Sequence, residues 1–289
     1  MEKKGRVVIV GAKGLVGSAL AEAFSETYEV IALDREELDV TTYNAVKKAI
    51  KEMTPQVVID AAGYSDVDSC ERRSQLAFAI NAEGAKNVAK AASLVKAKVV
   101  YISSDYVFDG KKGSPYTEED QPNPLNIYGE SKLLGEKYVQ DHSDDYLIVR
   151  TQWLFGPHGR NFVDTILTLA EEGRESIEVV EDLVGAPTYT VDLAQAVKRL
   201  LERDAWGIYH VSNSGQCSWF EFAKEILRQA GKNDVRLVPI SSADLTRPAR
   251  RPVFSVLSKD KLHRETGMKM RPWQEALSDY LKRRGQGQS

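Results

Sequence analysis

Cysteine and histidine are scarce, with two cysteines and four histidines in 289 residues. Cys70 and Cys217 form no Cys-x-x-Cys pair. Neither a disulfide framework nor a Cys/His metal cage is expected, no metal is assigned, and a reducing cytoplasm fits. Long apolar runs are missing as well. None approaches the about 18–20 residues that span a bilayer, and the apolar stretch in the opening MEKKGRVVIVG is too short for a signal-peptide core. No membrane partner is expected. Charge of one sign is not in excess either: 39 Lys and Arg face 42 Asp and Glu, for a net charge of −3. That balance argues against a nucleic-acid partner, which needs a basic surface. There is no internal repeat, and only the tail 285–289 reads as disordered.

What is present is an ordinary globular composition, 42% hydrophobic and 28% charged, in a chain long enough for a sizeable core. Short apolar runs at Arg6–Val10, Glu29–Leu33, Gln56–Asp60, Lys98–Ile102 and Tyr146–Arg150 lack clean alternation, as strands buried on both faces of a parallel sheet do. Between them, Leu15–Phe24, Tyr43–Lys51, Gln75–Ala92 and Tyr128–Gln140 carry helical spacing. The pattern predicts an α/β fold: a doubly wound parallel sheet of Rossmann type, with ligands at the strands' C-terminal ends. The second half is less regular. Helices are expected around Asn161–Glu171, Val191–Glu202, Trp219–Ala230 and Pro272–Arg283, with a strand at Gly207–Val211. The division expected is a dinucleotide-binding core of residues 1–152 and 185–211, with a smaller interleaved C-terminal substrate lobe of residues 153–184 and 212–289.

Directly after the first strand stands Gly11-Ala12-Lys13-Gly14-Leu15-Val16-Gly17, a GxxGxxG loop that opens a helix. Glycine permits the tight turn and close approach that a pyrophosphate needs, and the helix N-terminus favours its charge. The second strand ends in Asp34, 23 residues after Gly11, near the roughly 20 expected of a carboxylate that contacts the adenosine ribose. Lys13 and Arg35 are candidates for a 2′-phosphate, with plain surface charge the alternative, so NADP(H) and NAD(H) both stay open. Asp39 and Val40 can approach the adenine, and Ala61, Ala62 and Gly63 let a cofactor pass close to the backbone.

Tyr128-Gly129-Glu130-Ser131-Lys132 places Tyr128 and Lys132 four apart, on one face of a helix. A phenol titrates near ~10, and an adjacent ammonium lowers that value, which suits Tyr128 to general acid–base work. Ser104 follows the Lys98–Ile102 strand, where its hydroxyl can bond a substrate carbonyl. Ser104, Tyr128 and Lys132 are therefore the candidate catalytic residues.

The glycine loop, Ser104 and YxxxK together resemble the extended short-chain dehydrogenase/reductase superfamily. Within it the chain looks like the dTDP-4-dehydrorhamnose reductase family. The likeness runs through Ala61-Ala62-Gly63-Tyr64, Ser104-Asp105-Tyr106-Val107-Phe108-Asp109-Gly110, Pro124-Leu125-Asn126-Ile127-Tyr128-Gly129, Arg150-Thr151-Gln152-Trp153, Gly185-Ala186-Pro187-Thr188 and Arg251-Pro252 with Ser255-Val256-Leu257. It implies NAD(P)H-dependent reduction of the C4 keto group of a dTDP-sugar, dTDP-4-dehydro-L-rhamnose, in nucleotide-sugar and cell-surface polysaccharide biosynthesis. It also implies sugar contacts from Ser104, Asp105, Tyr106, Tyr128 and Trp153, while Tyr128 and Lys132 meet the nicotinamide ribose. A homo-oligomer is left open. Three departures stand out: Ser104 where the family usually has Thr, Leu183 after Asp182 where it usually has Gln, and Gly63 interrupting an Ala-Ala-Tyr run.

Rival readings remain. A dehydratase of the superfamily would carry Asp-Glu after the active hydroxyl, whereas Asp105 is followed by Tyr106. Another NDP-sugar epimerase or reductase is an alternative. So is a non-catalytic dinucleotide-binding protein resembling the regulatory subunit of methionine adenosyltransferase.

Overall fold

The computed structural model describes residues 3–286. Six parallel strands form the central sheet: β1 (Arg6–Val10), β2 (Glu29–Leu33), β3 (Val57–Asp60), β4 (Lys98–Ser104), β5 (Tyr146–Thr151) and the strand Gly207–His210. In space the order is Gly207–His210, β5, β4, β3, β1, β2. Strands β1, β3, β4 and β5 lie inside the sheet with nearly every residue buried, as their unbroken Val/Ile-rich runs require. Helices cover both faces. Leu15–Ser25 and Thr190–Glu202 pack over Val7, Ile9, Val100 and Leu147. Tyr43–Met53 and Ala85–Ser93 pack over Val8, Val10, Val99 and Ile148. The fold is thus the doubly wound sheet expected. The chain leaves β1 outward to β2 and returns to β3, so the loops after β1 and β3 part company and open a crevice.

β4 is longer than the apolar run suggested and carries both Ser103 and Ser104 inside the strand. The helix expected over Gln75–Ala92 is present from Ser74 to Ser93 without a break, but a π-turn interrupts its α-helical bonding. Short helices at Val67–Arg72 and Ser74–Phe78 lead into a π-turn, Ala79–Gly84, before Ala85–Ser93 resumes. The reason lies in Asn81, whose amide binds both the Tyr64 backbone and Ser131 and whose carbonyl accepts the Tyr101 hydroxyl. Single-turn π-helices of this kind are invisible to hydrophobic spacing.

The second half builds a separate core around Phe155, Val163, Ile166, Tyr189, Phe222 and Tyr280. Strands Ser176–Val180 and Arg236–Ile240, absent from the sequence reading, pair in parallel here. Leu262 and Met270 reach back to the core beside the sheet, whereas Tyr189 packs with the lobe. The last helix, Trp273–Gln286, includes Gly285 and Gln286, which the sequence reading had placed in a disordered tail. Leu277 and Tyr280 bury one face of that helix and carry it to this point. Residues 287–289 lie outside the described residues. Among the described residues no helix is long and apolar enough to cross a membrane, and no group of three or more His, Cys, Asp or Glu side chains is placed to hold a metal ion.

Candidate active site

At the crevice between β1 and β3 lies a cavity of about 480 Å³ lined by Gly11, Lys13, Gly14, Asp34, Arg35, Asp39, Val40, Ala61, Ala62 and Gly63. The sequence assigns these ten to the coenzyme; Glu36, Leu38, Tyr64 and Ile80 also line the cavity, and nothing in the sequence pattern assigns them there. Gly11 adopts φ +73°, and a Cβ there would stand 2.6 Å from the Ala62 nitrogen, so the two loops touch only because it is glycine. Leu15 and Val16 form the first turn of the helix Leu15–Ser25, whose N-terminus faces this crevice, and Gly17 packs against the Gly11 carbonyl. Asp34 is already engaged: Oδ1 accepts the N–H groups of Glu36 at 2.9 Å and Glu37 at 3.2 Å, and Oδ2 pairs with Lys13. The Lys13 ammonium and these N–H donors hold the Asp34 carboxyl below its ordinary range. Asp39 is fixed by the amide and hydroxyl of Thr41 at 2.9 and 2.7 Å. A narrow groove with glycine at its turn, a helix N-terminus and a carboxylate at the far end fits a dinucleotide.

The catalytic candidates converge at the C-terminal end of β4. Asn126 caps the helix Ile127–His142 by accepting the Gly129 N–H at 2.8 Å, and its own amide donates to the Arg250 carbonyl at 2.7 Å. That helix runs so close to the loop after β4 that a Cβ on Gly129 would lie 2.1 Å from the Tyr106 carbonyl oxygen. Tyr128 is thereby pressed against that loop. Its ring meets Tyr106 edge to face at 5.4 Å, and Ser104 is within reach of its hydroxyl. Burial pushes the phenol above its usual value, with Ser104 alone among its nearest groups pulling the other way. The sequence reading expected Lys132 to depress the phenol. Instead, Asp105, Tyr106 and Cys70 are the other groups that act on it most, all upward, and the Lys132 ammonium sits over the Tyr101 ring, 4.0 Å from its centre.

Ser104 donates to Asp105 at 3.0 Å and accepts the Tyr106 N–H at 3.2 Å. Asp105 is 1% exposed, and burial pushes its carboxyl up to about 7. Beneath this cluster Glu136 and Arg150 form a buried two-bond ion pair, 2.9 and 2.7 Å, joined by Ser103.

A second cavity, about 410 Å³, opens on the lobe side and is lined by Tyr106, Phe162, Leu183, Trp219, Arg247 and Arg251 among others. Trp153 is stacked on Trp219, ring centres 3.7 Å apart, in a left-handed backbone conformation at φ +46°. Arg251 is locked to Asp68 by two bonds of 2.7 Å, which ties the lobe segment to the core. Of the residues lining this cavity, sequence reasoning had singled out Tyr106 for the sugar and had seen the Arg251-Pro252 motif without assigning it contact. It assigned no contact to Phe162, Trp219 or Arg247, which no local spacing connects. It missed Asp60, Asn81 and Tyr101 around Lys132 for the same reason.

The other two departures from the family pattern, besides Ser104, also find places. Leu183 gives the second cavity an apolar wall, while the neighbouring Asp182 binds Ser241 and Ser242. Gly63 has an ordinary backbone, and a Cβ there would meet Asn81 at 3.6 Å, an ordinary contact.

The RmlD substrate binding domain family matches residues 5–285. The chain is 40% identical to the spore coat polysaccharide biosynthesis protein SpsK of Bacillus subtilis, over 96% of this chain and 98% of that one. It is 35% identical to a dTDP-4-dehydrorhamnose reductase of Sinorhizobium fredii, over 94% and 95%. Its structure superimposes on that of dTDP-4-dehydrorhamnose reductase from Bacillus anthracis in complex with NADP, with a TM-score of 0.94, 42% identity and coverage of 97% and 99%. On a match that spans nearly its whole length, the chain belongs to the RmlD substrate binding domain family.

Proposed function

We propose that this protein reduces the C4 keto group of dTDP-4-dehydro-L-rhamnose to give dTDP-L-rhamnose, with NADPH or NADH as reductant. What supports the reading is that Tyr128 packs edge to face on Tyr106, which lines the aromatic, arginine-bearing cavity, while Ser104 ends the strand next to β3, where the dinucleotide groove opens. A nicotinamide dinucleotide bound in the groove would supply the hydride. Gly11, Gly14 and the first turn at Leu15 and Val16 cradle its pyrophosphate, and Asp34 takes the adenosine ribose. Lys13 and Arg35 stand where a 2′-phosphate would lie, and Asp39 and Val40 border the adenine. In the second cavity Phe162 and Trp219, backed by Trp153, offer flat faces to a pyrimidine base, and Arg247 offers charge to a diphosphate. The division that goes with this reading is a core of residues 1–152 and 185–211 and a sugar-nucleotide lobe of residues 153–184 and 212–289, with Tyr189 packed on the lobe and Leu262 and Met270 on the core.

At the reacting centre Ser104 turns its hydroxyl from Asp105 to the substrate carbonyl and polarises it, and Tyr106 and Asp105 border the sugar. Tyr128 holds its proton at neutral pH because burial disfavours the phenolate. That is the form a donor needs: as the carbonyl oxygen becomes an alkoxide, a far stronger base, transfer from the phenol runs downhill. The rival as a non-catalytic regulatory subunit offers no reason for this alignment of donor, hydroxyl and two cavities.

The test is direct. Purified protein mixed with dTDP-4-dehydro-L-rhamnose and either coenzyme should oxidise it and form dTDP-L-rhamnose. Tight binding of both ligands with no turnover would contradict the reading.

A further inference from the structure

Lys132 is a charged group in an apolar setting, 3% exposed. An ammonium at such a site needs compensation, because burying an uncompensated charge is costly. Tyr101 supplies part of it in contact with the ammonium, and Asp60, on the adjacent strand and outside ion-pair distance, supplies charge. Tyr101, fully buried in β4, lies under the ammonium at 4.0 Å, and its hydroxyl donates to the Asn81 carbonyl at 2.7 Å, so the ring is fixed at both ends. Asp60, the last residue of β3, is its register partner in the sheet. Asp60 is 2% exposed, and its Oδ1 accepts the Ala62 N–H at 3.1 Å. The other carboxylate near the ammonium, Glu136, stands one turn on along the helix and is committed to Arg150 and Ser103.

We propose that Asp60 and Tyr101 are positioning residues for the reaction: side by side on β3 and β4, they form a seat that fixes the Lys132 ammonium and keeps it charged. The electrostatics agree with that geometry. Burial pushes Lys132 down to about 8, with Asp60 and then Glu136 resisting. Burial pushes Asp60 up to about 6, with Lys132 the cation that resists. The remaining titratable neighbours, Tyr101 and Tyr128, are both pushed upward and stay neutral here, and Glu136 is balanced by Arg150. The consequence has a definite sign. Removing the Asp60 charge leaves burial less opposed, so Lys132 loses its proton at lower pH.

The proposal rests on Lys132 being a catalytic residue, and its test separates the two. In Asp60→Asn, the basic limb of the kcat–pH profile should move to lower pH by roughly one unit, with KM for the sugar nucleotide unchanged. Asp60→Glu should bring part of the limb back. A basic limb that stays in place in Asp60→Asn would overturn the proposal.

Lysine 13Cε NMR of the unsubstituted protein, with Lys132→Met to assign the resonance, reads the seat without turnover and without depending on the Asn variant folding. Lys132 should titrate near 8, with a smaller inflection near 6 as Asp60 gains its proton. A Lys132 resonance that shows no inflection as Asp60 gains its proton overturns the seat. A seat seen by NMR alongside full turnover in Lys132→Met would instead remove Lys132 from the chemistry.

Discussion

At the coenzyme end, Gly11, Lys13, Gly14, Asp34 and Arg35 come from one strand–helix–strand unit. At the proposed sugar end, Tyr106, Phe162, Leu183, Trp219 and Arg247 come from five separate stretches. The first pocket is built by local backbone geometry: a glycine at φ +73° and a helix N-terminus. The second is built by packing, since its walls stand only because the lobe core and the Asp68–Arg251 pair hold distant segments together. Tyr128 packs edge to face on Tyr106 of the second pocket, at the end of the strand beside the first, and is the proposed junction. Substitutions at one end should therefore leave binding at the other end largely alone, and those at the junction should spare binding while removing turnover.

The junction should show the largest effect. Tyr128→Phe removes the proton donor but keeps the ring against Tyr106, so kcat should fall by about 10²–10⁴, or roughly 3–5 kcal/mol of transition-state stabilisation. The Kd for NADPH, measured by fluorescence titration, should change little, which places the loss in the transition state. Next come the lobe residues. Trp219→Ala or Arg247→Ala should raise KM for the sugar nucleotide about tenfold or more, the scale of losing an aromatic or arginine anchor, with coenzyme Kd steady. A matching loss of coenzyme affinity would break the contrast between the ends. At the coenzyme end, Asp34→Ala should weaken NADH by several-fold more than NADPH, because ribose hydroxyls lose a partner while Lys13, freed from Asp34, remains for a 2′-phosphate. Equal losses would show that Asp34 does not read the ribose. The smallest effect belongs to Gly63→Ala. An ordinary backbone and a 3.6 Å contact leave room for the methyl group, so stability by thermal melting should shift by no more than about 0.5 kcal/mol.

The same contrast explains what the sequence made legible. The sheet could be read because β1, β3, β4 and β5 are buried on both faces and so carry unbroken apolar runs. The coenzyme groove could be read because the positions that line it follow its strands at fixed offsets. Tyr128 and Lys132 could be read because four residues make one helical turn. The π-turn at Ala79–Gly84 could not, since it exists to satisfy Asn81, Tyr64 and Tyr101, contacts between segments with no shared periodicity. Nor could the lowered phenol pKa expected from Lys132 survive. Spacing puts two residues on one face but does not set where each side chain turns, and the ammonium lies over the Tyr101 ring of β4. Ser176–Val180 and Arg236–Ile240 escaped notice because a two-stranded pairing depends on its partner more than on its own pattern.

The central claim is that hydride reaches the sugar's C4 in this site and that Tyr128 protonates the oxygen left behind. Turnover of dTDP-4-dehydro-L-rhamnose with NADPH deuterated at nicotinamide C4, each face in turn, measures it most directly. The expected product is dTDP-L-rhamnose carrying one deuterium at C4 of the sugar, from one coenzyme face only, with no such product from Tyr128→Phe above its residual rate. Deuterium absent from C4 with both coenzymes, or full labelling by Tyr128→Phe at the rate of the unsubstituted protein, would contradict it.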